Sequence, residues 1–173
     1  LKALEEVRKA WKITVKGINM VADVSENPRF KDAARNDQRA LITIQRRTNG
    51  QTQIYFDTER ITDPLVEALV SMIRLEECLI QGREIPREDL RKPEWVEGIP
   101  EWYYYKAPWI PGKKKKPGRF ILNGSITAPD VPASKIPLDV LQEIAQKAVS
   151  YQPLNWVRWQ TERLAYYANR KAA

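Results

Sequence analysis

Four consecutive lysines, Lys113, Lys114, Lys115 and Lys116, stand between two Pro-Gly pairs, with Arg119 directly after the second pair. Like charges in a row repel one another and cannot be buried together, and Pro-Gly on both sides turns the chain outward, so these side chains project on a loop. A polyanion would relieve the repulsion. Trp102, Tyr103, Tyr104, Tyr105, Lys106 and Trp109 come just before, which places flat rings near dense positive charge. Rings that stack on bases and lysines that neutralise phosphates are the combination that holds single-stranded nucleic acid. Each part also has a plainer use. Trp and Tyr between prolines, Trp95 and Trp102 above all, pin an irregular segment onto a protein's own helices. The lysines need be no more than a solvated loop.

A second candidate lies near the C-terminal end, where Trp159, Arg163, Tyr166 and Arg170 recur at four, three and four residues. On a helix this spacing sets two guanidinium groups and two rings on one side, suited to clamping a backbone or to docking on a partner subunit. A third, looser set is Arg35, Arg39, Arg46 and Arg47, with Lys9, Lys12 and Lys16. These make a groove only if they converge with the lysine loop.

Catalysis has little to work with. The chain has no histidine and one cysteine, Cys78, which removes the usual triads, the Cys-His pair and the soft ligands of zinc, haem and iron–sulfur sites. Cys78 reads as a small inert filler of a helix. A metal-dependent nuclease would need clustered carboxylates, and Asp57, Glu59 and Asp130 form an incomplete pattern. No Gly-rich phosphate loop precedes a Lys-Ser or Lys-Thr pair. The expectation is a non-catalytic protein without metal or cofactor.

The elements that must carry these residues read as mostly helical. Leu4, Val7, Trp11, Val15, Ile18 and Ala22 follow a spacing of three and four, one face of a first helix. Asn27-Pro28 starts a second, with Phe30, Ala34, Leu41 and Ile44 on one side. Asn49-Gly50 competes with it. A hairpin over about 40–58 is preferred to a helix running from Pro28 to about Arg47. Asp63-Pro64 to Gly82 is the clearest helix, with Glu67, Ser71, Arg74 and Gln81 on its polar side. Nine prolines, four glycines and three tryptophans fall between Arg83 and Pro137, which suggests a long ordered excursion over 83–136 with a short strand near Arg119–Leu122. Two helices close the chain, broken at Gln152-Pro153. The expected fold class is mainly α: one domain over 1–173 of about five helices, with a possible hairpin and the irregular excursion.

The 173 residues suffice for one core, and the net charge of +7 favours polyanionic partners. Residues 93–128 carry six basic and three acidic groups, so the middle of the chain is its basic region. No run is long and apolar enough to cross a membrane, no signal peptide opens the chain, and the missing disulfides point to the cytoplasm. Residue 1 is Leu, which reads as a trimmed start or as initiation at a leucine-type codon inside a longer gene.

Small, basic, largely helical and without catalytic residues, the chain resembles in profile the small subunits lining the belly of multi-subunit CRISPR effector complexes. The resemblance implies contact with a displaced DNA strand or a guide–target duplex through basic faces, alongside other protein subunits; no family motif carries it. The partners expected are DNA or RNA, bound without sequence preference, and neighbouring subunits, with no membrane. A phage or ribonucleoprotein structural component is the alternative, and a metal-dependent nuclease the third.

Replacing Lys113–Lys116 by Gln is expected to weaken nucleic-acid binding while leaving the melting temperature nearly unchanged. Each lost phosphate contact lowers the slope of log affinity against log salt by roughly 0.7 to 0.9. An unchanged salt slope in a gel-shift titration would remove the loop from the site.

Overall fold

The computed structural model describes residues 1–114, 116–151 and 155–172. The helix α1 (Lys2–Lys9) leads into strands β1 (Trp11–Val15) and β2 (Ile18–Val24), then α2 (Phe30–Gln38), β3 (Ile42–Arg46), β4 (Thr52–Phe56) and α3 (Asp63–Gln81). Strands β5 (Glu94–Val96), β6 (Ile99–Lys106) and β7 (Arg119–Asn123) follow, and helices α4 (Leu138–Ser150) and α5 (Trp156–Ala172) complete the order. All seven strands join one sheet in the order β1-β2-β3-β4-β7-β6-β5. Only β2 and β3 run parallel, and α2 makes the crossover such a pair requires.

The chain is therefore α/β, a correction to the mainly helical reading. The first long helix stops at Lys9. Trp11, Ile13 and Val15 alternate with Lys12, Thr14 and Lys16, and that period of two, in aromatic and β-branched residues, prevails over the three-and-four spacing. Lys16 and Gly17 both take positive φ, 49° and 78°, and close a two-residue hairpin between Val15 and Ile18. The excursion over 83–136 is likewise not irregular. It supplies β5, β6 and β7, and β7 pairs with β4 from Thr52↔Asn123 to Tyr55↔Phe120.

The hairpin around Asn49-Gly50 is present as β3 and β4. Its turn is one residue wider than the tight form, since Gly50 alone takes positive φ and Gly50 N–H donates to the Arg47 carbonyl at 2.9 Å. Helix α3 starts with Pro64 in its first turn and stops at Gly82, φ 64°, as its sequence signals dictate. The break expected at Gln152-Pro153 lies outside the described residues.

Helix α3 lies against one face of the sheet with α4 and α5 beside it. Met20, Ala22, Ile42, Ile44, Ile54, Phe56, Ile121, Trp102 and Tyr104 turn toward it. The polar side expected on α3 is mostly inside: Ser71 and Arg74 are buried, as are Glu76 and Glu77. Arg74 donates to the carbonyls of Leu90, Lys92, Glu94 and Trp102, and burial pulls its pKa down to about 10. The Glu77 carboxylate accepts from Trp102 Nε1 (2.8 Å) and Ser134 Oγ (2.6 Å) on one oxygen. Its other oxygen accepts from the Lys135 amide (3.0 Å) and Gln81 Nε2 (2.9 Å). On the opposite face α1 and α2 cover only the β2–β3 side, forming a small second core of Val7, Ala10, Val21, Phe30, Ala34 and Ala40.

All the donors around Glu77 point at an acceptor, so Glu77→Gln must turn its amide NH2 against either the Trp102 indole or the Lys135 N–H. The substitution is expected to destabilise the fold by about 1–3 kcal/mol in denaturant unfolding. A variant as stable as the parent would show that these bonds contribute nothing net.

Candidate nucleic-acid interface

Successive side chains of a strand point to opposite faces, so Trp102 and Tyr104 of β6 enter the core while Tyr103 and Tyr105 emerge on the far side. The register extends this across three strands. Tyr55 of β4, Phe120 of β7 and Tyr105 of β6 are direct neighbours in one row, and Gln53, Leu122 and Tyr103 form the next. Phe120 and Tyr105 lie nearly parallel, 5.7 Å between centroids and 15° between planes, and Tyr55 meets Phe120 edge-on at 5.7 Å. Trp95 of β5 meets Tyr103 edge-on at 4.9 Å. Tyr105 is 39% exposed and Trp95 48%, and the other rings are half-buried.

Positive charge borders this face at two places. Lys31, near the start of α2, sets its ammonium 4.6 Å from the Tyr55 ring centroid and 5.8 Å from that of Phe120. Burial raises the pKa of the Tyr55 phenol, opposed by the Arg47 charge and reinforced by Asp32, so the ring stays neutral at pH 7. The connection from β6 to β7 is the lysine loop. It leaves the sheet one residue pair beyond Tyr105 and Phe120, since Lys106 and Arg119 are the next partners. Lys113, Lys114 and Lys116 are exposed, and so is Trp109. Lys115 lies outside the described residues.

The same alternation turns Arg119 and Lys106 to the α3 side, where they line one hollow with Asp63, Pro64, Trp109 and Lys116 of the loop. Arg119 is buried and donates to the Asp63 carboxylate and to the carbonyls of Thr58 (3.2 Å) and Ile61 (2.6 Å). Lys106 lies 3.9 Å from Asp63 and 4.0 Å from Glu67.

On α5 the predicted stripe divides. Trp159 is buried and Arg163 turns in onto buried Glu76, with Nε on Oε2 at 2.8 Å and a second bond from Nη2. Tyr167 also donates to Glu76, at 2.8 Å. Tyr166 and Arg170 remain outside, bonded to each other at 2.7 Å. Half of the proposed clamp is thus core packing. Arg35 and Arg39 are exposed on α2 and at its C-terminal cap. Arg46 turns to the core side, bonding Thr52 Oγ1 (2.9 Å) and the Ile136 carbonyl (2.7 Å), whereas Arg47 stands beside Gln53 and pairs with Glu26 at 3.4 Å. Lys12 sits on β1 and Lys16 in the turn after it, at the opposite edge of the sheet from β5, so they do not converge with the loop.

Sequence reading missed Tyr55, Phe120, Leu122 and Lys31 as parts of one surface. The rings of Tyr103 and Tyr105 could have been separated from Trp102 and Tyr104 by strand parity, but the neighbours across β4 and β7 come only from pairing. Cys78 is buried and its thiol pKa is pushed up to about 11 by that burial, which makes it unreactive at neutral pH. Asp57 caps a turn by accepting the Glu59 and Arg60 amides. Among the described residues no group of three or more acids or cysteines is placed to hold a metal ion, and no helix is long and apolar enough to cross a membrane. No protein-family model matches the chain, and neither the curated proteins nor the solved structures hold a significant match to it.

Arg163→Leu leaves a buried carboxylate without its cation and is expected to cost about 3–5 kcal/mol of stability. Urea unfolding checks it. A surface arginine that served only a ligand would leave the unfolding midpoint where it was.

Proposed function

We propose that this chain binds single-stranded nucleic acid, without catalysis, on the uncovered aromatic half of its sheet. The observation that carries the reading is the row Tyr55–Phe120–Tyr105 on the sheet face that no helix covers, with the Lys31 ammonium over two of its rings and the lysine loop leaving one residue pair beyond it. Rings accept any base on their faces, and each stacked base contributes about 1–3 kcal/mol. Lys31 above the rings and the lysines of the loop neutralise phosphates of the strand, which gives affinity that falls with salt and little sequence preference. A duplex keeps its bases stacked on each other, so the rings favour a single strand.

The likeness to CRISPR effector small subunits rested on a largely helical profile. The mixed sheet removes that premise, and the present reading stands on the rings and lysines alone. A second reading, protein docking, draws on α5, where Val157 is 79% exposed and Leu164, two turns on, lies open on the same side. The two readings use different faces.

Fluorescence anisotropy with a labelled single-stranded oligonucleotide and a duplex of equal length, each at two salt concentrations, tests the proposal. The single strand is expected to bind more tightly. The double variant Tyr105→Ala/Phe120→Ala is expected to lose about 1–3 kcal/mol for each base unstacked, with the salt slope preserved. Affinity unchanged in that folded variant would reject the platform, and a purified protein that binds no oligonucleotide but forms a complex through α5 would favour docking.

A further inference from the structure

The second row of the platform runs into a hollow. Beyond Tyr103 and Leu122 the chain rises on two sides, as Trp95 on β5 and as the turn that follows β7. Between them lies a cavity of about 310 Å³, lined by Trp95, Tyr103, Leu122, Gly124, Ser125 and Thr127, with no charged side chain among its lining residues. Its walls are flat and apolar. At the rim, Ser125 Oγ and Thr127 Oγ1 stand 3.0 Å apart. A hydroxyl both donates and accepts, so the two together offer a donor beside an acceptor.

We infer that this hollow is a nucleobase pocket, taking one base turned out of a single strand that lies on the Tyr55–Phe120–Tyr105 row. The inference rests on the reading of the sheet as a single-strand platform. The lining suits the occupant: a base is flat, uncharged and edged with donors and acceptors, whereas a phosphate would find no cation there. The distance suits it too. From Phe120 to Leu122, or Tyr105 to Tyr103, is two residues of strand, about 6.8 Å, which one extended nucleotide spans. The hollow on the far side of Trp95 carries Glu97 and Asp130 on its walls, and these repel a polyanion. The path of the strand therefore ends at Trp95.

The pocket is built before any ligand arrives. Gln53 Nε2 donates to the Gly124 carbonyl at 3.0 Å, Gln51 Nε2 to the carbonyls of Pro129 and Val131, and Asn123 Nδ2 to that of Pro132. Gly124 takes φ +72°, and a Cβ there would stand 2.5 Å from Gln51 Nε2, so no other residue fits the close approach of turn and sheet. Amide side chains of β4 and β7 thus hold the wall in place, and binding has little loop ordering to overcome.

Uncharged nucleosides test the pocket apart from the phosphate contacts. Adenosine, cytidine, guanosine and uridine are titrated while the indole N–H resonance of Trp95 is followed by NMR, the signal being assigned as the one lost in Trp95→Phe. At least one nucleoside is expected to move it. Ser125→Ala/Thr127→Val is expected to weaken that binding about five- to tenfold, the loss of one neutral hydrogen bond or slightly more. A Trp95 signal that no nucleoside moves, or a shift that persists at full affinity without the two hydroxyls, overturns the pocket. If oligonucleotides still bind through Tyr105 and Phe120 in that case, the platform stands without it. Nucleosides at Trp95 with no oligonucleotide affinity overturn the platform, and with it the pocket's place on a strand.

Discussion

Helix α3 is covered by the sheet on one side and by α4, α5 and the chain after Gly82 on others, and it carries Arg74, Glu76 and Glu77 within little more than one turn. Burying charge without partners costs several kcal/mol per group, so each of these side chains must draw polar atoms to it. Arg74 collects the carbonyls of 90–102, Glu77 the indole of Trp102 and the backbone at Lys135, and Glu76 the guanidinium of α5. Three segments distant in sequence, the 90–102 stretch, the chain before α4 and helix α5, are thereby fixed to one helix. Arg74 is the unusual member, since its described partners are backbone carbonyls alone and its Nε has none. It acts as a staple for the approach to β5, which brings Trp95 to the edge of the sheet.

Because those segments are gathered on the α3 side, the other face of the sheet is left to α1 and α2. They are short, eight and nine residues, and cover only the β2–β3 side. The strands added later in the chain, β5 to β7, extend the sheet past the two helices, although the Lys31 side chain of α2 reaches over Tyr55 and Phe120. The bare aromatic half is a consequence of topology. Leaving rings in water forfeits the burial that a core would give, and a contiguous apolar patch on a single chain marks a place of contact.

Much of this was legible locally and little of it at long range. Pro64 and Gly82 delimit α3, and Asn49-Gly50 places the hairpin, because caps and turns are decided by a few adjacent residues. The width of the sheet was not legible. Apolar residues at 11, 15, 18 and 22 satisfy a helical spacing, and the competing signals are the alternation of Trp11, Ile13 and Val15 and the turn at Lys16-Gly17. The pairing of β4 with β7 joins Thr52 to Asn123, and no local pattern announces it. At the candidate site the lysine loop was visible as composition. The loss of Arg119 and Arg163 to acids of α3 was not, because their partners Asp63 and Glu76 lie far away in sequence.

Strand β6 shows how one segment serves both purposes. In the run Trp102-Tyr103-Tyr104-Tyr105, the first and third rings are fully buried and the second and fourth emerge. Trp102 is anchored through its indole to Glu77, while Tyr103 and Tyr105 contact only Trp95 and Phe120 among the described rings. Substitutions at the even positions therefore act on stability, and on the proposed function those at the odd positions act on ligand affinity. The coupling between them is one of rigidity: the outer rings stand on a backbone whose inner side chains are locked to α3. On the proposed function, a base at Tyr105 would meet a ring already held parallel to Phe120, so stacking would order few protein side chains and leave more of its energy as affinity.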